Sequence, residues 1–155
     1  MTDRPVLDFP PTPLRVRGEA GSEQVFDPIR RRFVRLTPEE WVRQHLVHFL
    51  VEHRGYPPGL LAIEKAFTFN AMTRRADVIA YGPGAEPLLM AECKKPVEAL
   101  GAAVFEQVAR YNAAVGARVL LVTNGLEHWC YAVDRRAGTA TFLPDVPRYG
   151  DSRLE

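Results

Sequence analysis

The sequence lacks the features that mark membrane and secreted proteins. None of its apolar runs approaches the ~20 residues that are needed to span a bilayer. Its first residues, MTDRPVLDFPPTP, contain prolines and acidic side chains where a signal peptide has an apolar stretch. We therefore expect a cytoplasmic protein with no membrane partner.

Cysteine and net charge are also scarce. The two cysteines, Cys93 and Cys130, have neither the spacing of a zinc site nor that of a disulfide framework, so we expect reduced thiols. A bridge between them is the less favoured alternative. The formal net charge is only +1, so any contact with nucleic acid requires basic residues that are gathered on one face.

Proline, by contrast, is concentrated at one end of the chain. Four of the 13 prolines lie within residues 1–22, and proline disfavours both helices and central strands. Residues 1–22 are therefore predicted to form an extended arm, residues 23–147 a single domain and residues 148–155 a C-terminal tail. A chain of 155 residues is long enough for one hydrophobic core.

The order of the predicted elements indicates an α/β fold. Residues 24–36 predict a hairpin, and the run Thr37-Pro38-Glu39-Glu40 predicts the start of a helix that reaches about residue 55, with a capping box closed by Glu40. A second helix is predicted over 97–115. Apolar runs predict strands at 60–69, 76–81, 88–93, 118–123, 128–134 and 139–143. This order predicts a mixed β-sheet with helices packed against it.

Acidic and basic side chains are predicted to converge at the end of one strand. Because side chains alternate along a strand, Glu92 and Lys94 share a face and Cys93 lies on the other. Asp77 begins the preceding predicted strand, and a hairpin of that span can return the chain so that Asp77 lies opposite Glu92. Two converging carboxylates repel each other unless a cation lies between them.

This arrangement suits Mg²⁺, with Mn²⁺ as a substitute, because Mg²⁺ accepts one or two carboxylates and keeps its waters and substrate phosphate oxygens. The predicted ligands are Asp77, Glu92 and the backbone carbonyl of Cys93. Lys94 would orient the attacking water or stabilise the charge on the scissile phosphate. Glu64, at the end of an apolar run, is either a third acidic ligand or a solvated strand end.

The second helix supplies two further candidates. Gln107 is predicted to lie on its buried stripe, where an unsatisfied amide would cost about 1–3 kcal/mol. Gln107 and Tyr111 are one helical turn apart and are predicted to point together towards the carboxylates and lysine. Each of them alone also fits an ordinary packed side chain.

These residues resemble a known family of nucleases. Asp77, then Glu92-Cys93-Lys94, then Gln107 and Tyr111 match the D…ExK…QxxxY pattern of the RecB-like branch of the PD-(D/E)XK nucleases. The wider set resembles the N-terminal domain of type I restriction enzyme R subunits over roughly residues 24–147; it adds Glu40-Trp41-Val42-Arg43, Ile63-Glu64, Arg75-Ala76, Arg110, Asn112 and Val122-Thr123-Asn124-Gly125.

The resemblance implies a restriction-endonuclease-like fold, Mg²⁺ and phosphodiester cleavage. It further implies that Asp77, Glu92 and Lys94 are catalytic and that Gln107 and Tyr111 support the site or contact DNA. Two features depart from the family. Ala76 stands where the motif name has proline, and the sequence contains no GxxxxGK[ST] phosphate loop of the kind that a DNA motor requires.

Basic residues near the predicted site are candidate phosphate contacts, although basic tracts are also common in solvated turns. These candidates are Arg74, Arg75, Lys95 and Arg110. The run Arg30-Arg31-Arg32 is predicted at a hairpin tip and would extend the contact.

Three functions are compatible with this pattern. The first is a Mg²⁺-dependent nuclease that acts on DNA in restriction or DNA processing. The second is a module that binds nucleic acid or a partner protein without catalysis. The third is a subunit that is active only with a separate motor or specificity protein, and association with a second copy of the chain is also open. The acidic pair and lysine together favour the first and third.

Overall fold

The computed structural model describes residues 4–155, which form two β-sheets and two α-helices. The smaller sheet has the order β1-β2-β3 and the larger sheet has the order β4-β5-β6-β7-β8-β9. The elements are β1 (Val16–Arg17), β2 (Gln24–Asp27), β3 (Arg32–Arg35), α1 (Pro38–Arg54), β4 (Leu61–Phe69), β5 (Met72–Tyr81), β6 (Pro87–Cys93), α2 (Ala102–Val115), β7 (Val119–Thr123), β8 (His128–Asp134) and β9 (Thr139–Phe142).

The larger sheet is mixed, as predicted. Strands β6 and β7 run parallel, and every other neighbouring pair is antiparallel. A parallel pair needs a crossover connection, which α2 provides. All five residues of β7 are buried, since apolar clusters cover both faces of the sheet. The cluster on one face includes Val42, Leu46 and Leu50 of α1, and the cluster on the other includes Val108 of α2.

Helix α1 begins as the sequence predicts, but the predicted capping box is incomplete. Thr37 Oγ1 accepts a bond from the Glu40 backbone N–H at 3.0 Å, and Pro38 occupies the first turn. The helix ends at Arg54 and is capped by Gly55, whose φ of 75° is the left-handed conformation that glycine tolerates. Glu40 does not return a bond to Thr37, because its carboxylate points inward to arginine side chains.

Two predicted boundaries are wrong. Helix α2 begins at Ala102 rather than at residue 97. Residues 97–101 form a turn followed by coil, and Gly101, the residue before the helix, has an extended backbone. Strand β5 begins at Met72, so Asp77 lies within the strand rather than at its start. The predicted hairpin over 24–36 is confirmed, with Val25 opposite Val34 and Phe26 opposite Phe33.

The predicted arm is part of the fold: its residues Val16–Arg17 form β1 of the smaller sheet, and its earlier residues pack on the core. Residues 1–3 of the arm lie outside the described residues. Leu7 is buried in the core, and the Asp8 backbone N–H donates to the Gly125 carbonyl at 2.7 Å. At the other end of the chain, Leu154 is also buried in the core.

Two expectations based on composition can be compared with the structure. Cys93 and Cys130 are both buried and free, which confirms unbridged thiols. Within residues 4–155, neither helix has the length and apolar character that are needed to cross a membrane.

Candidate active site

The two predicted acidic residues meet across neighbouring strands. Val78 pairs with Ala91, and the next step of this antiparallel register places Asp77 opposite Glu92. Asp77 Oδ2 accepts a hydrogen bond from the Cys93 backbone N–H at 2.7 Å. The structure therefore brings the Asp77 carboxylate to the end of β6, beside the backbone of Cys93.

Lys94 lies on the same side of β6 as Glu92, as alternation predicts. Its Nζ is 3.5 Å from Glu92 Oε1, and its backbone N–H donates to the Thr123 carbonyl at 2.8 Å. The second bond continues the parallel pairing with β7 by one residue and fixes the direction of the Lys94 side chain. Both side chains remain partly open to solvent, so a ligand can reach them.

The two carboxyl groups are electrostatically coupled. Burial, followed by the charge of Asp77, raises the pKa of Glu92 to about 8, and the Lys94 ammonium opposes this shift. Burial also raises the pKa of Asp77, against the opposing effects of the Cys93 N–H and the Arg43 guanidinium. A carboxyl pair that resists double ionisation is a site where a bound cation would stabilise both charges.

An arginine that the sequence reasoning did not single out holds Asp77 from the other side. Arg43 Nη1 donates to Asp77 Oδ1 at 3.1 Å. The same guanidinium donates to both carboxylate oxygens of Glu40, at 3.1 and 3.0 Å. Arg43 and Glu40 are both buried, although the sequence analysis gave Glu40 only a capping role and gave Arg43 no role at the site. Their spacing of three residues within one helix is the signal that was available.

A second arginine extends this ionic network to the small sheet. Arg30 donates to Asp27 Oδ2 at 2.6 Å and to Glu40 Oε1 at 2.7 Å. Because Asp27 is fully buried, the turn between β2 and β3 is tied to α1 next to the site. The Arg30 guanidinium is therefore bonded to carboxylates, and its contact with phosphate stays a prediction.

Glu64 lies next to the site but contacts arginines. The register of β4 and β5 places it opposite Asp77, and its φ of 52° is unusual for a residue other than glycine. Its carboxylate is 3.5 Å from Arg43 Nη2, 3.5 Å from Arg30 Nη1 and 3.9 Å from Arg75 Nη1. Among the described residues, no three His, Cys, Asp or Glu side chains are grouped to hold a metal. Asp77 and Glu92 form a pair of neighbouring carboxylates without a third.

The pair on α2 is arranged differently from the prediction. The Gln107 side chain is exposed, so its placement on a buried stripe is wrong, and its amide donates to Tyr111 Oη at 3.0 Å. Tyr111 packs edge-on against Phe67 and Phe69 of β4, at centroid distances of 5.6 and 5.2 Å. The two side chains thus contact each other, as the one-turn spacing predicts. The one-turn spacing predicts that the two side chains contact each other, but it does not show whether this face of α2 is buried.

The four basic residues that were predicted to contact phosphate lie on β5, after the end of β6 and on α2. The guanidinium of Arg74 lies over the Tyr111 ring, 5.9 Å from its centroid, and Arg75 is exposed beside Glu64. Lys95 is exposed immediately after Lys94, and Arg110 is exposed on α2.

Comparison with known proteins shows the family. No curated protein matches the chain. A solved structure, a fragment assigned to an HsdR subunit of a type I restriction enzyme from Vibrio vulnificus YJ016, has the same fold, with a TM-score of 0.54 at 19% sequence identity. The similarity covers 73% of this chain and 24% of that chain, so this chain spans about a quarter of the length of the protein that it matches. A family model described as type I restriction enzyme R protein N terminus (HSDR_N) matches residues 38–147, and the chain belongs to this family.

Proposed function

We propose that this chain is a Mg²⁺-dependent nuclease domain that hydrolyses phosphodiester bonds of DNA in restriction or a related defence process. The observation that carries the proposal is the convergence of Asp77, Glu92 and Lys94 at the end of β6. Membership of the R-protein family supports a role connected with restriction.

The residues at the site fit a magnesium ion. Mg²⁺ is bound in proteins through one or two carboxylates and retains waters and substrate phosphate oxygens, so Asp77 and Glu92 are a sufficient set. The backbone carbonyl of Cys93 is a further candidate ligand, while Glu64 already contacts arginines. When bound, the ion would lower the pKa of a coordinated water and offset charge on the scissile phosphate.

The chain's own residues have distinct roles in this proposal. The bonds from Cys93 N–H and Arg43 hold the Asp77 carboxylate in one orientation before any ligand arrives. Lys94, held by its backbone bond to Thr123, places an ammonium beside Glu92, where it can orient a water or donate to a phosphate oxygen. Two of the exposed basic residues lie next to the site: Arg75 is beside Glu64, and Lys95 follows Lys94. They are suited to bind the phosphates on either side of the scissile phosphate.

A subunit that needs a separate motor or specificity protein is the second candidate. The observation that favours it is the match of residues 38–147 to the N terminus of a type I restriction enzyme R protein. In that case the acidic pair would still bind metal, but cleavage would appear only after the partner is added. The two proposals therefore differ in whether cleavage requires an added partner protein.

The test is a cleavage assay with supercoiled, linear and single-stranded DNA in Mg²⁺ or Mn²⁺, with Lys94→Ala as the matched variant. We expect cleavage by the wild type and none by the variant, because the variant lacks the ammonium beside Glu92. Since the Lys94 side chain is partly exposed, we expect its removal to leave the fold intact. An unchanged cleavage rate in Lys94→Ala would refute the site. Metal binding without cleavage by the wild type would support the partner-dependent subunit.

A further inference from the structure

The small sheet β1-β2-β3 presents a face that combines aromatic and cationic side chains. Arg17 pairs with Gln24, and Gln24 pairs with Arg35, so these three residues form one row across the strands. Phe26 pairs with Phe33 two positions further along. Because strand side chains alternate, residues two apart share a face, and all five lie on the same side of the sheet.

That side, which we call the outer face, points away from the protein core. On the opposite side, Val25 and Asp27 are fully buried. Arg15 joins the outer face, since its carbonyl accepts the Phe26 backbone N–H at 2.8 Å and continues the register of β1. The sheet lies before residue 38, where the match to the R-protein family begins, so the family assignment says nothing about this face.

The guanidinium groups of the outer face lie against its aromatic rings. The Phe26 and Phe33 rings are in edge contact at 5.4 Å. The Arg15 guanidinium lies 5.2 Å from both ring centroids, and that of Arg17 lies 3.8 Å from Phe33. Unpaired nucleic-acid bases stack both on aromatic rings and on arginine guanidinium planes, so these layers are suited to accept them.

The positive charge of the outer face is not neutralised by the protein. Arg15, Arg17 and Arg35 are exposed, and none of them forms an ion pair within the part of the chain that the structure describes. Arg30 of the adjacent turn, in contrast, is fully engaged with Asp27 and Glu40. Three uncompensated guanidinium groups beside stacking surfaces are suited to bind the phosphates between successive bases.

A groove connects the outer face with the candidate active site. An open groove of about 470 Å³ is lined by Phe33 and Arg35 together with Arg30, Arg32, Glu39, Glu40, Arg43 and Glu64. Arg43 is the residue that contacts Asp77. The groove therefore places Phe33 in the same surface depression as a residue that contacts Asp77.

We propose that the outer face of β1-β2-β3 binds an unpaired nucleic-acid strand and directs it along this groove towards Asp77 and Glu92. The proposal deepens the nuclease function by naming the substrate as a single-stranded or locally unpaired segment, and only the cleavage of that strand rests on the proposed function. DNA and RNA share the stacking and phosphate chemistry, so the test includes both.

The test measures binding of the full chain to fluorescent oligonucleotides in EDTA, by anisotropy, over a range of salt concentrations. The probes are oligothymidylate and oligouridylate of about 20 nucleotides, longer than the ~4–16 nucleotides that comparable single-strand sites cover, and a duplex of the same length. We expect the wild type to bind one or both single strands more tightly than the duplex. Phe33→Leu, which keeps the apolar volume and removes the aromatic face, should weaken single-strand binding about tenfold.

The arginines contribute separately to binding through phosphate contacts, which the dependence of affinity on salt concentration measures. Replacing Arg17 and Arg35 together by alanine should reduce the slope of log affinity against log salt by about 1.4, or ~0.7 for each phosphate contact. Matched controls on the β8–β9 hairpin of the larger sheet are Phe142→Ala, which removes a phenylalanine that is 59% exposed, and Arg136→Ala, which removes an exposed arginine. Both controls should bind like the wild type.

Several outcomes would overturn the proposal. These are no single-strand binding by the wild type, tighter binding of the duplex, or equal affinities of Phe33→Leu and the wild type. Measuring binding in EDTA separates this proposal from the nuclease function, because no divalent ion is then present to support cleavage. Binding that depends on Phe33 in a protein that cleaves nothing would support the outer face and contradict the autonomous nuclease.

Discussion

Arg43 Nη1 donates to Asp77 Oδ1 at 3.1 Å, while the remaining nitrogens of the same guanidinium bond to the buried carboxylate of Glu40. The contact joins helix α1 to strand β5 at the point where the acidic pair forms. Removing one partner of a buried ionic network leaves the other charge without compensation, which is more costly than the loss of an exposed ion pair.

We therefore predict that Arg43→Ala lowers the free energy of unfolding by about 3 kcal/mol. Urea denaturation followed by circular dichroism measures the change. Arg118→Ala, which removes an exposed arginine, is the control and should stay within about 0.5 kcal/mol of the wild type. Equal effects of the two substitutions would show that the Arg43 network does not contribute to stability.

The metal-binding role of Asp77 gives a second prediction. Asp77→Asn keeps an oxygen to accept the Cys93 N–H bond but removes the negative charge, so divalent-metal affinity should fall by at least about tenfold. Titration calorimetry with Mn²⁺ measures the affinity. Asp145→Asn, at an exposed aspartate away from the site, should leave it unchanged. Identical Mn²⁺ binding by Asp77→Asn and the wild type would exclude Asp77 as a ligand.

The sequence predicted the core of the site because strand geometry is local. Glu92 and Lys94 lie two residues apart, so alternation alone places them on one face, and the register confirms that Asp77 lies opposite Glu92. The α/β class and the mixed sheet with packed helices followed from apolar periodicity for the same reason. These features depend on residues that are close in sequence or joined by a short hairpin.

The buried ionic network was not predicted because it depends on how deeply its charged side chains are buried. Helical spacing shows which residues share a face, but it does not show that charged residues such as Glu40 and Arg43 are buried on α1, or that Gln107 is exposed on α2. The proline content of the arm likewise indicated an extended chain without showing that Leu7 enters the core. Each of these facts is set by packing between distant segments.

The insertion of Leu7 gives a third prediction. Gly125 has a φ of 86°, and a Cβ atom at this position would lie 2.7 Å from Leu7 Cδ2. Gly125→Ala should therefore destabilise the protein by about 1–3 kcal/mol through overpacking, in addition to the cost of its backbone conformation. Gly138→Ala is the matched control, since Gly138 has a φ of 66° and no atom within 4 Å of the added carbon.

Thermal or urea unfolding of both variants separates the two costs. The double variant Leu7→Ala/Gly125→Ala should lose less stability than the sum of the two single losses, because Leu7→Ala removes the atoms that clash with the added carbon. If Gly125→Ala and Gly138→Ala have the same stability, the arm does not pack against Gly125 in solution.

The environment of His45 gives a prediction about pH. Burial lowers the pKa of His45, and the nearby His48 acts in the same direction, while the bond between Nδ1 and the Trp41 carbonyl, at 2.7 Å, opposes the shift. The unfolded chain therefore takes up a proton at a higher pH than the folded protein does. The stability associated with neutral His45 is fully present above about pH 6.5 and is lost as the pH falls towards the lowered pKa.

We predict that His45→Gln, which retains a side-chain donor but cannot titrate, loses less stability than the wild type between pH 7.5 and pH 5, an interval of about 2.5 units that spans the ordinary pKa of histidine. Urea midpoints of both proteins at the two pH values measure the difference, and carboxylates elsewhere cancel in the comparison. His53→Gln removes an exposed imidazole from the end of the same helix and should follow the wild type. If His45→Gln and the wild type lose stability equally, protonation of His45 is not disfavoured by folding, and the ring is not held in the neutral form against Trp41.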